Sequence, residues 1–223
     1  MKTTILFSNV QGDITADDSK QQCSFFDIVA EQLKTYIQPH SNLVFINAPG
    51  FKNDNLYCDA IVECFKKIDI HFDSIVELSD KTPSGALDNF TMNNRVYFLM
   101  GGNPLTQRKI IKDFYLEQEL KDYDGVVVGM CAGAINLSKH SIITTDDDFK
   151  KPLDYPGLER VNAIIEPHFV LDDSIFTQNR LKEIRQFCNK LKSDIVAMTD
   201  ESCIVVTDKV NIFGVTHTIN YVE

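Results

Sequence analysis

The chain has 223 residues, 43% of them hydrophobic, with 22 Lys and Arg against 32 Asp and Glu, a net charge of −10. That length suits one α/β domain spanning residues 1–223 with a sizeable core. The acidic balance argues against nucleic acid or an anionic lipid surface as a partner, and no apolar run approaches the roughly 20 residues of a membrane span.

The opening MKTTILFSNVQGD reaches polar turn residues too early for a signal peptide and reads as a first strand, Thr4–Phe7. Short Val-, Ile- and Phe-rich runs then alternate with helical spacing. The expected strands are Leu43–Asn47, Ser74–Leu78, Arg95–Met100 and Gly125–Gly129; the expected helices are Ser19–Ile37, Asp54–Lys67 and Pro104–Leu120. Ser19 and Asp54 suit N-caps, and Pro104 suits a first helical turn. From His140 to Glu166 the rhythm breaks into TTDDDFKKPLDYPG, an irregular excursion with room for a hairpin. A helix follows over Ile175–Leu191, then short strands at Asp194–Met198, Cys203–Thr207, Val210–Phe213 and Thr216–Asn220. The pattern predicts an α/β protein: a mostly parallel sheet in a three-layer sandwich, flavodoxin-like, with antiparallel edge strands near the C-terminus. Six cysteines (Cys23, Cys58, Cys64, Cys131, Cys188, Cys203) without a C-x-x-C pair indicate free thiols in a cytoplasmic protein, with neither a disulfide framework nor a metal site.

The chemistry concentrates at Gly129-Met130-Cys131-Ala132-Gly133, where a valine run stops at a cysteine between glycines. A buried-type strand precedes it and a helical AGAINL follows. In such a strand–turn–helix elbow the attacking residue occupies a strained backbone, and small residues two positions away avoid collisions. The helix N-terminus then favours a thiolate and can stabilise an oxyanion. The plain alternative is a small hydrophobe in a glycine-lined turn. A second glycine turn, Gly101-Gly102-Asn103-Pro104, ends the preceding strand, where parallel sheets bind ligands. A thiol nucleophile needs a base, and of His40, His71, His140, His168 and His217 the best placed is His168, after an apolar run and before the last helix.

Four of these pieces match one family. GMCAGA resembles the G-x-S-A-G-A elbow of the peptidase E family, serine-type enzymes that include aspartyl dipeptidases and the related cyanophycinases. FLMGGNP resembles its G-G-N loop, Thr144-Thr145-Asp146-Asp147 its T-x-D stretch, and EPHF its N-P-H-[FY], in family order from about Val96 to His168. The resemblance implies Cys131 as nucleophile, His168 as general base, and an oxyanion hole from the backbone of Gly102 and Ala132, with Gly101 and Asn103 shaping the loop. It implies Asp147 as the triad acid, Asp146 remaining open, and Arg180 as a group for an acidic substrate side chain. The departure is cysteine where the family has serine.

Cysteine in this elbow also resembles class I glutamine amidotransferases, which share the broader fold. Their histidine is followed two residues later by glutamate, whereas here His168 is followed by Phe169 and Val170. The expectation is therefore a peptidase E-like hydrolase of small peptides, N-terminal Asp-X among them, acting through a Cys-His-Asp acyl-enzyme as monomer or homodimer without a cofactor. An amidotransferase-like glutaminase and a non-catalytic thiol sensor or binding protein are the alternatives.

Overall fold

Period-two alternation in apolar strands dictates two buried faces, and the chain meets both with helices. In the computed structural model, residues 1–9, 29–49, 54–88, 90, 94–146 and 148–222 are described. Of the predicted first helix, Ala30–Tyr36 (α1) is present, and residues 19–28 lie outside the described residues.

Strands β1 (Thr3–Phe7), β2 (Ser41–Ala48), β3 (Phe72–Leu78), β4 (Arg95–Gly102) and β5 (Val126–Met130) form a parallel core in the order β1-β5-β4-β2-β3. The chain's later strands β10 (Cys203–Val206) and β11 (Val210–Phe213) extend its β1 edge antiparallel, as the sequence suggested. One face carries Ile5, Phe7, Phe45, Phe98 and Val128, packed against Leu33 of α1 and Ile61 and Phe65 of α2 (Asp54–Lys67). The other carries Leu6, Val44, Ile46, Leu99 and Val127, packed against Ile110 and Ile111 of α3 (Pro104–Asp113), Leu120 of α4 (Glu117–Asp122), and Ala134 and Leu137 of α5 (Ala132–Leu137). Each such buried aliphatic or aromatic side chain contributes roughly 1.5–3 kcal/mol.

Two departures have physical reasons. The predicted helix Pro104–Leu120 breaks because Tyr115 turns into the left-handed region at φ 57° and lets buried Leu116 tuck back, so α3 and α4 are separate. Strands β9 (Ile195–Met198) and β12 (Thr216–Ile219) do not join the main sheet. They form a second sheet, β12-β9-β8, in which β8 (Ile165–Glu166) runs parallel to β9. That sheet packs with α6 (Ile175–Leu191) through Ile164, Ile184, Phe187, Ile195 and Ala197. The irregular excursion does hold a hairpin, β6 (His140–Ile143) with β7 (Leu153–Pro156). Cys58, Cys131, Cys188 and Cys203 are free thiols, whereas Cys64 is disulfide-bonded, against the expectation of free thiols. No helix among the described residues is long and apolar enough to cross a membrane.

A buried amide chain fixes the helices over the carboxyl ends of the strands. Gln107 Nε2 donates to the carbonyls of Ile46 and Met100, at 3.0 and 2.8 Å, and its Oε1 accepts from Asn136 Nδ2 at 3.0 Å. Asn136 also donates to Pro104 O and accepts from Tyr155 Oη. Fully satisfied buried polar groups of this kind are rigid, because breaking one bond leaves an orphan in low dielectric.

Candidate active site

Strand β5 delivers Cys131 at φ 49° and ψ −106°. A non-glycine residue in a sparsely populated region costs about 1–3 kcal/mol, so the surroundings must hold it there. They do: Cys131 N donates to Phe7 O at 3.0 Å, and Cys131 O accepts from Ile135 N at 3.0 Å to start α5. The flanking glycines are steric necessities. A Cβ on Gly129 would lie 2.6 Å from Leu137 Cδ1 and 2.8 Å from the Gly133 carbonyl carbon; one on Gly133 would lie 2.3 Å from Leu99 O. Only hydrogen at both positions lets α5 press onto β5 and β4, which aims the thiol outward at the helix start. Ala132 is fully buried directly beneath it.

The second glycine turn lies alongside. Gly102 has φ +130°, and a Cβ there would lie 2.1 Å from Ala48 O, while a Cβ on Gly101 would lie 3.4 Å from Cys131 Cβ. At Gly101 this turn runs beside Cys131. Asn103 has a different task. Its Oδ1 accepts from Leu105 N and Thr106 N at 3.0 and 3.1 Å, making it the N-cap of α3.

His168 follows β8 in a second strained backbone, φ 53°. Its N–H donates to Ser8 Oγ at 2.7 Å, and Phe169 N donates to Met198 O at 2.9 Å, so the loop is sewn to the ends of β1 and β9. One ring nitrogen, Nδ1, pairs with Asp200 Oδ1 at 2.5 Å. His168 and Cys131 line the same cleft, and with Nδ1 on Asp200 the other ring nitrogen, Nε2, is left without the carboxylate. Burial disfavours the charged ring, but the bond to Asp200 and the neighbouring Cys131 outweigh it and raise the His168 pKa to about 10. The same bond to His168 holds the Asp200 carboxyl below the usual carboxylate range.

The carboxylate beside His168 is Asp200, and of the acidic run read from sequence Asp146 is engaged in its own turn. Asp146 Oδ1 accepts from Asp148 N and Phe149 N at 2.8 and 2.7 Å, closing its own turn. Thr144 is bonded to Glu166, and Thr145 to Glu183 of α6. Asp147 lies outside the described residues. A reason for Asp200 is visible in the topology. Strands β8 and β9 are parallel with Glu166 opposite Ala197, so the residues just past their ends, His168 and Asp200, emerge side by side. The sequence signal was Thr199-Asp200 directly after a predicted strand.

Arg180 also departs from expectation. Its Nε donates to Glu166 Oε1 at 2.8 Å, and Nη1 and Nη2 donate to the carbonyls of His168 and Pro167, each at 2.6 Å. The guanidinium is turned under the His168 loop rather than toward a substrate. Glu166 is 1% exposed; burial pushes its carboxyl up, and Arg180 opposes that.

These groups share a cleft of about 170 Å³ lined by Ser8, Asn47, Tyr57, Met100, Gly102 and Met130 around Cys131 and His168. Ser8, Asn47 and Tyr57 were not singled out from sequence; their signal was position at or near strand and helix ends facing the elbow. Among the described residues no group of three or more His, Cys, Asp or Glu is placed to hold a metal ion.

A mostly parallel sheet with a cysteine on a strained strand-to-helix turn, and a histidine–carboxylate pair against it, defines an α/β protein of the nucleophile-elbow kind. The family model of peptidase family S51 matches residues 15–212, and the chain belongs to that family. In fold it is similar to a crystal structure of a protein from Listeria monocytogenes EGD-e that carries the provisional name peptidase E. The two share 15% identity and a TM-score of 0.66, over 96% of this chain and 99% of the other. No curated protein matches the chain. Membership of a peptidase family supports a peptidase-like hydrolase.

Proposed function

We propose that the chain hydrolyses small peptides or amides through an acyl-enzyme in which Cys131 is the nucleophile, His168 the acid–base and Asp200 the group that orients His168. The observation that supports this is the His168–Asp200 pair, with Nδ1 held by the carboxylate, in the cleft that Cys131 also lines.

The protonated ring beside the thiol favours a thiolate–imidazolium pair. Sulfur attacks the substrate carbonyl carbon, forming the C–S bond, and the developing oxyanion is met by N–H groups at Gly102 and Ala132. The C–N bond breaks as His168 gives its proton to the leaving nitrogen. Water then adds to the thioester as His168 accepts its proton, the C–S bond breaks, and the thiolate and imidazolium return. Ionised Asp200 fixes the ring tautomer throughout. Glu166 takes no part in this relay, being bonded to Thr144 and Arg180.

The test is hydrolysis of a panel of aminoacyl amides, dipeptides and glutamine by the parent and by Cys131→Ala. Loss of at least about 10³-fold in turnover is expected for the variant. Equal hydrolysis by both proteins would overturn the assignment, and glutamine as the only substrate would favour a glutaminase.

A further inference from the structure

We infer that the cleft selects substrates whose acyl residue is neutral and apolar and discriminates against N-terminal aspartyl substrates. This rests on the hydrolase reading above and deepens it.

The walls around Cys131 come from Ala48, Tyr57, Met100 and Met130. Methionines are soft, adaptable surfaces for apolar groups and offer a carboxylate nothing. Two polar side chains in the wall, Asn47 and Ser8, already have partners. Asn47 accepts from Cys58 Sγ at 3.3 Å, while Ser8 Oγ accepts from His168 N and lies 3.4 Å from Asp200 Oδ1. Among the described residues lining the cleft, His168 alone can carry positive charge, and it is paired with Asp200. The arginine that the sequence offered for an acidic side chain is bonded to Glu166 under the loop.

Electrostatics sharpens the choice. An aspartyl side chain entering here would lose its hydration, and among the described lining residues the one cation it meets, His168, is already paired with Asp200. An apolar side chain loses only unfavourable hydration and gains contacts with two methionines and a tyrosine ring. The cleft is also small, at about 170 Å³, which suits a single side chain.

The experiment uses the full chain and two readouts. Hydrolysis of alanyl, leucyl, methionyl and α-aspartyl p-nitroanilides gives kcat/KM. Protection of Cys131 from iodoacetamide by L-leucinamide or L-aspartic acid α-amide, followed by mass spectrometry, reports occupancy without turnover. Leucyl or methionyl substrates should exceed aspartyl by at least about tenfold in kcat/KM, and leucinamide should protect at lower concentration. Tyr57→Arg, which places a cation at the cleft, should raise the aspartyl-to-leucyl ratio by about tenfold. Faster aspartyl cleavage, or better protection by the aspartyl amide, would overturn the inference while leaving the hydrolase intact. Protection by leucinamide with no anilide cleaved would overturn the hydrolase reading and leave the pocket chemistry standing. Protection by neither amide would overturn the inference.

Discussion

Replacing Arg180 by methionine tests whether that side chain serves the architecture of the histidine loop. Methionine keeps most of the stem's apolar contact but removes the guanidinium, leaving Glu166, 1% exposed, with Thr144 as its remaining side-chain donor. Breaking a buried ion pair from one side costs about 3–5 kcal/mol, because the surviving charge is uncompensated. For a chain of this size each kcal/mol lowers Tm by roughly 2–4 °C, so the expected drop at pH 7 is roughly 6–20 °C. The sign of the pH dependence is fixed by Glu166. Burial already raises its pKa and Arg180 holds it down, so the variant raises it further. A carboxyl with a raised folded-state pKa is harmless below its unfolded value near 4.5 and costs stability as pH climbs through the folded value. The variant's deficit should therefore shrink on acidification from pH 7 toward 5, and Glu166→Gln in the Arg180→Met background should recover part of it at pH 7. Because His168 O and Pro167 O also lose their donors, kcat should fall about tenfold with KM little changed. Thermal melts across that pH range and steady-state kinetics are the assays. A loss under about 1 kcal/mol, flat with pH, would falsify the reasoning.

Four other substitutions probe the site. Asp200→Asn should lower kcat by about 10²–10⁴-fold, while Asp146→Asn stays within about threefold; the reverse order would restore the acidic run as the source of the triad acid. In the parent, activity should decline as pH rises through about 10, where His168 loses the proton the leaving group needs, and in Asp200→Asn that limb should move to lower pH. Ser8→Ala strips the acceptor from His168 N–H, an expected cost of about 1–3 kcal/mol in stability with kcat reduced more than KM is raised, read by melts and kinetics; unchanged values would mean the contact is idle. Gly133→Ala sets helix propensity, worth about 0.5–1 kcal/mol in favour of alanine, against a Cβ 2.3 Å from Leu99 O. Overpacking, about 1–3 kcal/mol, should win and lower Tm.

What was legible in the sequence was local. Valines ending at a glycine-flanked cysteine specify a buried strand and a sharp turn, and the collisions at Gly129 and Gly133 show why no larger residue would do. Helix Ile175–Leu191 appears with the bounds its periodicity implied, since its start is marked by a Ser174 cap and its end by Lys192 in the left-handed region. What was not legible was pairing across distance. The alternation in Ile195–Met198 and Thr216–Ile219 identifies strands but not their sheet, and whether they extend the main sheet or pair with Ile165–Glu166 depends on partners far away in the chain. The carboxylate beside His168 suffers from the same limitation. Three consecutive aspartates at 146–148 attract attention by density, yet the residue beside His168 is set by the register of β8 on β9, and Asp200 is 32 residues from the histidine. For Arg180, which the resemblance offered for an acidic substrate side chain, nothing local reveals its buried partner Glu166.

That dependence on register also explains how the site tolerates its strain. Cys131 belongs to the main sheet and His168 with Asp200 to the small one, so their alignment is only as good as the joint between the sheets. Both strained residues, at φ 49° and 53°, direct their N–H groups to consecutive residues at the end of β1, Phe7 O and Ser8 Oγ. Each bond satisfies a donor that would otherwise be orphaned, and together they offset part of the backbone cost at both positions. The Ser8 hydroxyl also lies within 3.3 Å of Met198 O and 3.4 Å of Asp200 Oδ1. One strand end thus couples Cys131, His168 and Asp200, and movement of the small sheet would disturb these contacts at once. The geometry of the relay is therefore a property of the end of β1 as much as of the elbow, although β1 contributes none of the three side chains.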